Sequence, residues 1–235
     1  MGAVIEAQAD VIADMRQSPG SPPFWPVVDG NVLPRWPIES AADGAAASVR
    51  LMAGTTRDEM SYLKMEPEAA GLSEERVIHL LDSINRGAGR RFYVDYSSLL
   101  GSAAKPQDIW VAVQTDRFLR APAIEVASTQ SRHTRDVWMY LFTWESPALD
   151  GALGACHTLE VPFVWNIFSA PGAEAFAGSG PERQALADEM HEAWIEFASS
   201  GHPGWDPYDE RGRATRVFGP GGGVVDDPMR ARREL

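Results

Sequence analysis

Cysteine is the scarcest reactive group in this chain. Cys156 is the one cysteine among 235 residues. That excludes an intramolecular disulfide and a zinc site built on cysteines. Positive charge is short too: 21 Lys and Arg stand against 33 Asp and Glu, for a formal net charge of −12. Lys64 and Lys105 are the only lysines, a bias that reads as GC-rich codon usage rather than chemistry. A nucleic-acid backbone needs a basic face, so this balance argues against one as a partner. No apolar run approaches the roughly 18–20 residues that cross a bilayer. Residues 1–15 carry no basic stretch followed by an apolar one, so they are no secretory leader. Glu6 stands where N-myristoylation asks for Ser or Thr. Internal repeats are lacking as well. These absences predict a soluble, cytoplasmic protein with no membrane or nucleic-acid partner, no cofactor and no metal.

What is present suits a globular α/β chain. Hydrophobic residues make up 44% and charged residues 23%, enough apolar material for a core. With 17 Pro and 21 Gly, much of the chain must be loop. Val4, Ala7, Val11, Ile12 and Met15 recur at roughly helical spacing over residues 3–16. Ser18–Pro26 then breaks any helix, and Asp29-Gly30 marks a turn between short extended pieces. Val49–Ala53, ended by Gly54, reads as a short buried strand, and Leu72–Arg86 as an amphipathic helix. Pro106–Ser131 reads as a long helix interrupted near Pro122. Asp136–Trp144 is the best strand, rich in aromatic residues. Pro181–Ser199 is helical with Gly201 as C-cap, and Ala214–Phe218 suits a final strand. The order strand, helices, strand, helix, strand predicts an α/β protein.

Two loops carry candidate chemistry. Gly54–Glu59 follows a strand, where functional residues of α/β proteins collect. A carboxylate there can orient a histidine. Equally, Thr56 and Glu59 form a capping-box pattern, which is structure alone. Gly151–Glu160 is Gly-rich and follows the best strand, so His157 can be presented to a cleft as a general base or can sit hydrogen-bonded to backbone. Glu160 is a partner for that histidine or a surface charge. Cys156 adjoins His157 but reads as a small buried thiol. His79, His133, His191 and His202 are scattered, and His191-Glu192 lacks the second histidine of a zincin. Gly219–Gly223 lacks the Lys-Ser/Thr ending of a P-loop and reads as a flexible turn. In a hydrolase triad of order Ser, Asp/Glu, His, the acid and base occur here in the right sequence. No G-x-S-x-G and no HGGG-type loop occurs anywhere.

At these residues the chain resembles the C-terminal half of the type B carboxylesterases, the group of para-nitrobenzyl esterases and cholinesterases. The matching stretches are Phe24–Gly30 with Leu33-Pro34, Leu51–Glu59, Thr115–Phe118 with Pro122-Ala123, and Val137–Phe142. Leu153–Phe163 and Trp205–Tyr208 complete them. The pair G-T-x-x-D-E and L-G-A-x-H-x-x-E-x-P-F, in this order, is specific. The resemblance implies the C-terminal portion of an α/β-hydrolase fold, a partial and mostly parallel sheet with helices. It makes residues 1–235 a partial carboxylesterase domain and implies Glu59 as triad acid and His157 as triad base. Asp58 is then not the acid, and Glu160 has a supporting role.

The departure from the family is the nucleophile: the elbow serine and the oxyanion hole belong to the family's first half. The resemblance therefore implies an ester-hydrolase portion that is inactive without that half. Its substrate would be a small carboxylic ester. Its partner would be the N-terminal half on a separate chain, or a second copy through an exposed sheet edge at Val49–Ala53. The alternative is a non-catalytic binding module that kept the fold. A third reading pairs His157 with another serine, Ser61, Ser146 or Ser179, none of which sits on a strand–turn–helix elbow.

Overall fold

A computed structural model describes residues 2–15, 26–65 and 71–235. The helix-breaking stretch up to Trp25, including Phe24 and Trp25 of the first family-like segment, lies outside the described residues.

Among the described residues, four strands make one sheet: β1 (Leu51–Thr56), β2 (Val137–Phe142), β3 (Ala214–Phe218) and β4 (Gly223–Asp226). They lie side by side in chain order. β1 pairs parallel with β2 from Leu51↔Val137 to Thr56↔Phe142, and β2 pairs parallel with β3. β4 returns antiparallel to β3. The first three strands stand where the sequence places them, with one correction. The strand at Val49–Ala53 does not end before Gly54; it starts at Leu51 and continues to Thr56. Gly54 lies inside it because Tyr140 of β2 crowds it: an added Cβ would come within 2.4 Å of the Tyr140 ring and carbonyl oxygen. A glycine inside a strand often marks such a close approach. β4 is not foreseen. Gly219–Gly222 is the turn of a β3–β4 hairpin, closed by the Gly222 N–H donating to the Gly219 carbonyl at 3.0 Å, and Gly223 already belongs to β4.

The helices are α1 (Gly2–Met15), α2 (Pro37–Ala42), α3 (Glu74–Ile84), α4 (Gly89–Leu100), α5 (Pro106–Thr115), α6 (Ala121–Ser131), α7 (Val161–Val164), α8 (Ala173–Ala177), α9 (Pro181–Ser200) and α10 (Arg230–Arg233). Local chemistry starts and stops several of them. Ser73 caps α3 by accepting the Arg76 N–H at 3.2 Å. The Asp108 carboxylate accepts the Lys105 N–H at 2.9 Å at the start of α5. Gly201 ends α9 in the left-handed region at φ 81°, its N–H reaching the Phe197 carbonyl. Asp29-Gly30 does turn the chain: Asp29 Oδ1 accepts the N–H groups of Asn31 and Leu33, both at 2.9 Å. The extended pieces beside it join no sheet.

The interruption of Pro106–Ser131 does lie near Pro122, as one π turn over Asp116–Arg120. Pro122 sits in the first turn of α6, where a missing N–H is tolerated. α4 is unforeseen, since Phe92, Tyr93, Val94 and Tyr96 favour strands in isolation. Tertiary packing decides otherwise: Tyr96 joins Val77, Leu81 and Ile109 in a cluster that glues α3, α4 and α5 together.

The sheet is covered on both faces. Trp138 and Phe142 of β2 pack with Leu159, Phe163 and, from α9, Leu186, Ala187 and Met190. The alternate residues Val137 and Met139 pack with Ala127 of α6 and with Tyr208. This period-2 division is why β2 reads as a nearly continuous apolar run. Phe142 is fully buried against Phe163, ring centroids 5.1 Å apart. Removing such a ring costs about 3–5 kcal/mol. Among the described residues no helix is long and apolar enough to cross a membrane.

Candidate active site

β1 and β2 run parallel, so their carboxyl ends lie on one edge of the sheet. From β1 the chain passes through Arg57 and Asp58 into a 3₁₀ turn, Glu59–Met65. From β2 it runs through a 3₁₀ turn at Ala148–Gly151 to His157, just ahead of α7. The two loops meet.

Glu59 is their junction. Its side chain is 6% exposed and that of His157 is 53% exposed. Glu59 Oε1 accepts the Thr56 N–H at 2.7 Å. Glu59 Oε2 lies 2.6 Å from His157 Nδ1. The two readings of this loop, cap and histidine partner, are therefore both satisfied, one carboxylate oxygen each. The other half of the capping box is not formed. Thr56 Oγ1 is buried and has no hydrogen-bond partner among the described residues. Thr115, at the end of α5, instead accepts the Met60 N–H at 3.1 Å. A carboxylate only accepts, so the proton of the neutral imidazole is assigned to Nδ1 and its lone pair to Nε2. The backbone repeats the join: the His157 N–H donates to the Glu59 carbonyl at 3.3 Å. Thr158, immediately after the histidine, is held at φ 67°, a left-handed conformation that costs a β-branched residue roughly 1–2 kcal/mol.

Asp58 faces elsewhere. Its Oδ2 accepts the Ala155 N–H at 2.9 Å and two Arg57 donors at 2.8 and 3.0 Å. Arg57 in turn donates to Glu145 at 2.6 Å, and its carbonyl accepts from Arg120 at 2.6 Å. Glu160 has a buried Oε2 with no hydrogen-bond partner among the described residues. Burial, and next the Glu59 charge, hold its carboxyl above the usual range. Cys156 is buried, and burial pushes its thiol up to about 11.

The remaining candidates lie outside this junction. His133 and His191 bond the carbonyls of Ala42 and Val164 at 2.9 and 2.8 Å, and His202 packs on the Trp138 ring at 5.3 Å. His79 is exposed on α3. Ser61 and Ser146 are buried and give their hydroxyls to the carbonyls of Leu153 and Phe176 at 2.5 and 2.6 Å. Ser179 is exposed in the loop before α9. Among the described residues no group of three or more His, Cys, Asp or Glu could hold a metal ion.

What sequence reasoning missed is the support behind the acid loop. Asp116, Arg120, Tyr96 and Arg232 form one buried network. Asp116 accepts from Arg120 at 2.9 Å, from the Tyr96 hydroxyl at 2.8 Å and from Arg232 at 2.7 Å. The i,i+4 spacing of Asp116 and Arg120 was the available signal.

A mixed sheet flanked by helices, with a carboxylate loop after one parallel strand and a histidine loop after the next, is the architecture of an α/β hydrolase. Within that class, residues 5–215 match the Carboxylesterase family, and the chain belongs to it. It is 32% identical to the para-nitrobenzyl esterase of Bacillus subtilis (strain 168), over 90% of this chain and 42% of that protein. It is 30% identical to the phenmedipham hydrolase of Pseudarthrobacter oxydans, over 78% of this chain and 36% of the other. The fold superposes on carboxylesterase EST55 of Geobacillus stearothermophilus with a TM-score of 0.77 and 34% identity, covering 94% of this chain and 47% of that one. The chain thus spans half or less of the length of these relatives.

Proposed function

We propose that this chain supplies the acid and the base of a Ser-Glu-His triad in a carboxylic-ester hydrolase. The observation that carries the reading is the 2.6 Å contact between His157 Nδ1 and Glu59 Oε2 at the carboxyl ends of adjacent parallel strands. With Nδ1 committed to Glu59, Nε2 is the basic nitrogen. It takes the proton of a serine hydroxyl as that oxygen attacks the ester carbonyl, and returns it to the departing alcohol. Glu59 holds the tautomer and stabilises the imidazolium. The half-exposed His157 is accessible to such a serine.

The serine and the oxyanion donors come from polypeptide outside these 235 residues, because no G-x-S-x-G occurs within them. The 235 residues alone are then inactive. Family membership and the esterase relatives support a small carboxylic ester as substrate. The test is labelling by a fluorophosphonate probe. The chain alone should remain unlabelled. Joined to, or mixed with, the polypeptide that carries the nucleophile elbow, it should support labelling of the serine, and His157→Ala should abolish it. Undiminished labelling in His157→Ala would sink the proposal.

A further inference from the structure

The acid and histidine loops are joined by more than the Glu59–His157 pair. The second carboxylate of the Asp58-Glu59 pair makes a separate tie. Asp58 N–H donates to the Ala155 carbonyl, and the Ala155 N–H returns to Asp58 Oδ2, both at 2.9 Å. This two-point clamp closes two residues before His157. Room for it depends on Gly154. A Cβ at that position would stand 2.5 Å from Asp58 Oδ2, and the residue is held at φ +57°. The carboxylate is itself fixed by two Arg57 donors at 2.8 and 3.0 Å. Arg57 is fixed by Glu145, just beyond β2, and by Arg120, which donates to its carbonyl. The clamp is thereby anchored to both strands that carry the loops.

We propose that Asp58 is a positioning residue for His157. It holds Gly154-Ala155 against the acid loop so that the imidazole arrives at Glu59 in one orientation. This role rests on reading Glu59 and His157 as the acid and base. It assigns the two neighbouring carboxylates different tasks: Glu59 orients the ring and Asp58 orients the loop. It also explains the glycine three residues before the histidine: Gly154 makes space for the Asp58 carboxylate.

The experiment compares Asp58→Ala, Asp58→Asn and Gly154→Ala. In the 235-residue chain, the His157 Nδ1–H resonance and the ring's titration are followed by ¹⁵N-edited NMR. In the complete esterase, kcat and KM are measured. Asp58→Ala and Gly154→Ala should speed exchange of the Nδ1–H and lower kcat by about 10–100-fold with KM little changed. Asp58→Asn keeps an acceptor for the Ala155 N–H and should restore most of the resonance and of kcat. The role is overturned if Asp58→Ala leaves the Nδ1–H and kcat as they were. It is equally overturned if Asp58→Asn restores neither. Failure of the underlying triad reading shows differently, as a complete esterase that keeps its activity in His157→Ala.

Discussion

Glu59 divides its two oxygens between a backbone N–H and an imidazole, and the two tasks can be separated by substitution. Glu59→Gln keeps an acceptor for Thr56 but cannot hold the Nδ1–H tautomer if its amide faces the ring. Under the proposed triad it should fold normally and lose on the order of 10⁴ in the kcat for ester hydrolysis once the nucleophile half is present. Glu59→Ala loses the cap as well and should lower the urea midpoint by an amount equivalent to about 1–2 kcal/mol. Glu160 gives a pH signature. Its raised folded-state pKa means that its stabilising contribution is fully present below the ordinary carboxylate value, and is lost as pH rises through the raised value. Urea melts across that window should show the wild-type chain losing stability relative to Glu160→Gln as pH rises. Cys156 should resist iodoacetamide in the folded chain at pH 8 and react on unfolding, because burial keeps it a thiol. At this scale the sequence was legible where a residue type implies a task. Motifs pointed to Glu59 and His157, and the structure brings the two side chains to 2.6 Å. Asp58 was set aside as an acid, and its true contact, a backbone N–H of a distant loop, leaves no mark in residue identity.

At the scale of elements, the π turn over Asp116–Arg120 turns a helix into a support. It brings Arg120 to the Arg57 carbonyl, beneath the acid loop, while Asp116 collects Tyr96 and Arg232. Removing one charge from a buried network leaves the others uncompensated. Asp116→Ala should therefore cost about 3–5 kcal/mol in unfolding free energy, measured by urea titration. Strands with a strong apolar run and helices with a cap were legible. α4 was not, because its aromatic and β-branched residues argue for a strand until α3 and α5 are there to receive them. β4 has only four residues and depends on β3 to exist. The break near Pro122 was legible, but its form, a π turn over Asp116–Arg120, was not, since Pro122 itself sits in the first turn of α6.

For the whole molecule, among the described residues the sheet has two edge strands, β1 and β4, each paired on one side. β2 is paired on both sides, while among the described residues β1 is paired on one. Hydrogen exchange should show peptides covering Leu51–Thr56 exchanging faster than those covering Val137–Phe142. An unpaired edge also favours association, so the 235-residue chain should show concentration-dependent self-association by light scattering. A net charge of −12 opposes this, and raising the salt should strengthen it. The α/β class and most strands follow from local patterning. The meeting of residues 98 positions apart does not, since neither loop specifies the other; the acid-then-base order of a hydrolase triad and the family resemblance pointed to it.

The double use of Glu59 bears on how relatives are to be judged. A carboxylate that caps its own turn has reason to persist after hydrolysis is abandoned, so its presence in a decayed paralogue says little about turnover. Among the described residues the His157 ring makes that single hydrogen bond and no backbone cap. When a descendant of this fold drifts toward pure binding, the imidazole should be the first of the pair to disappear.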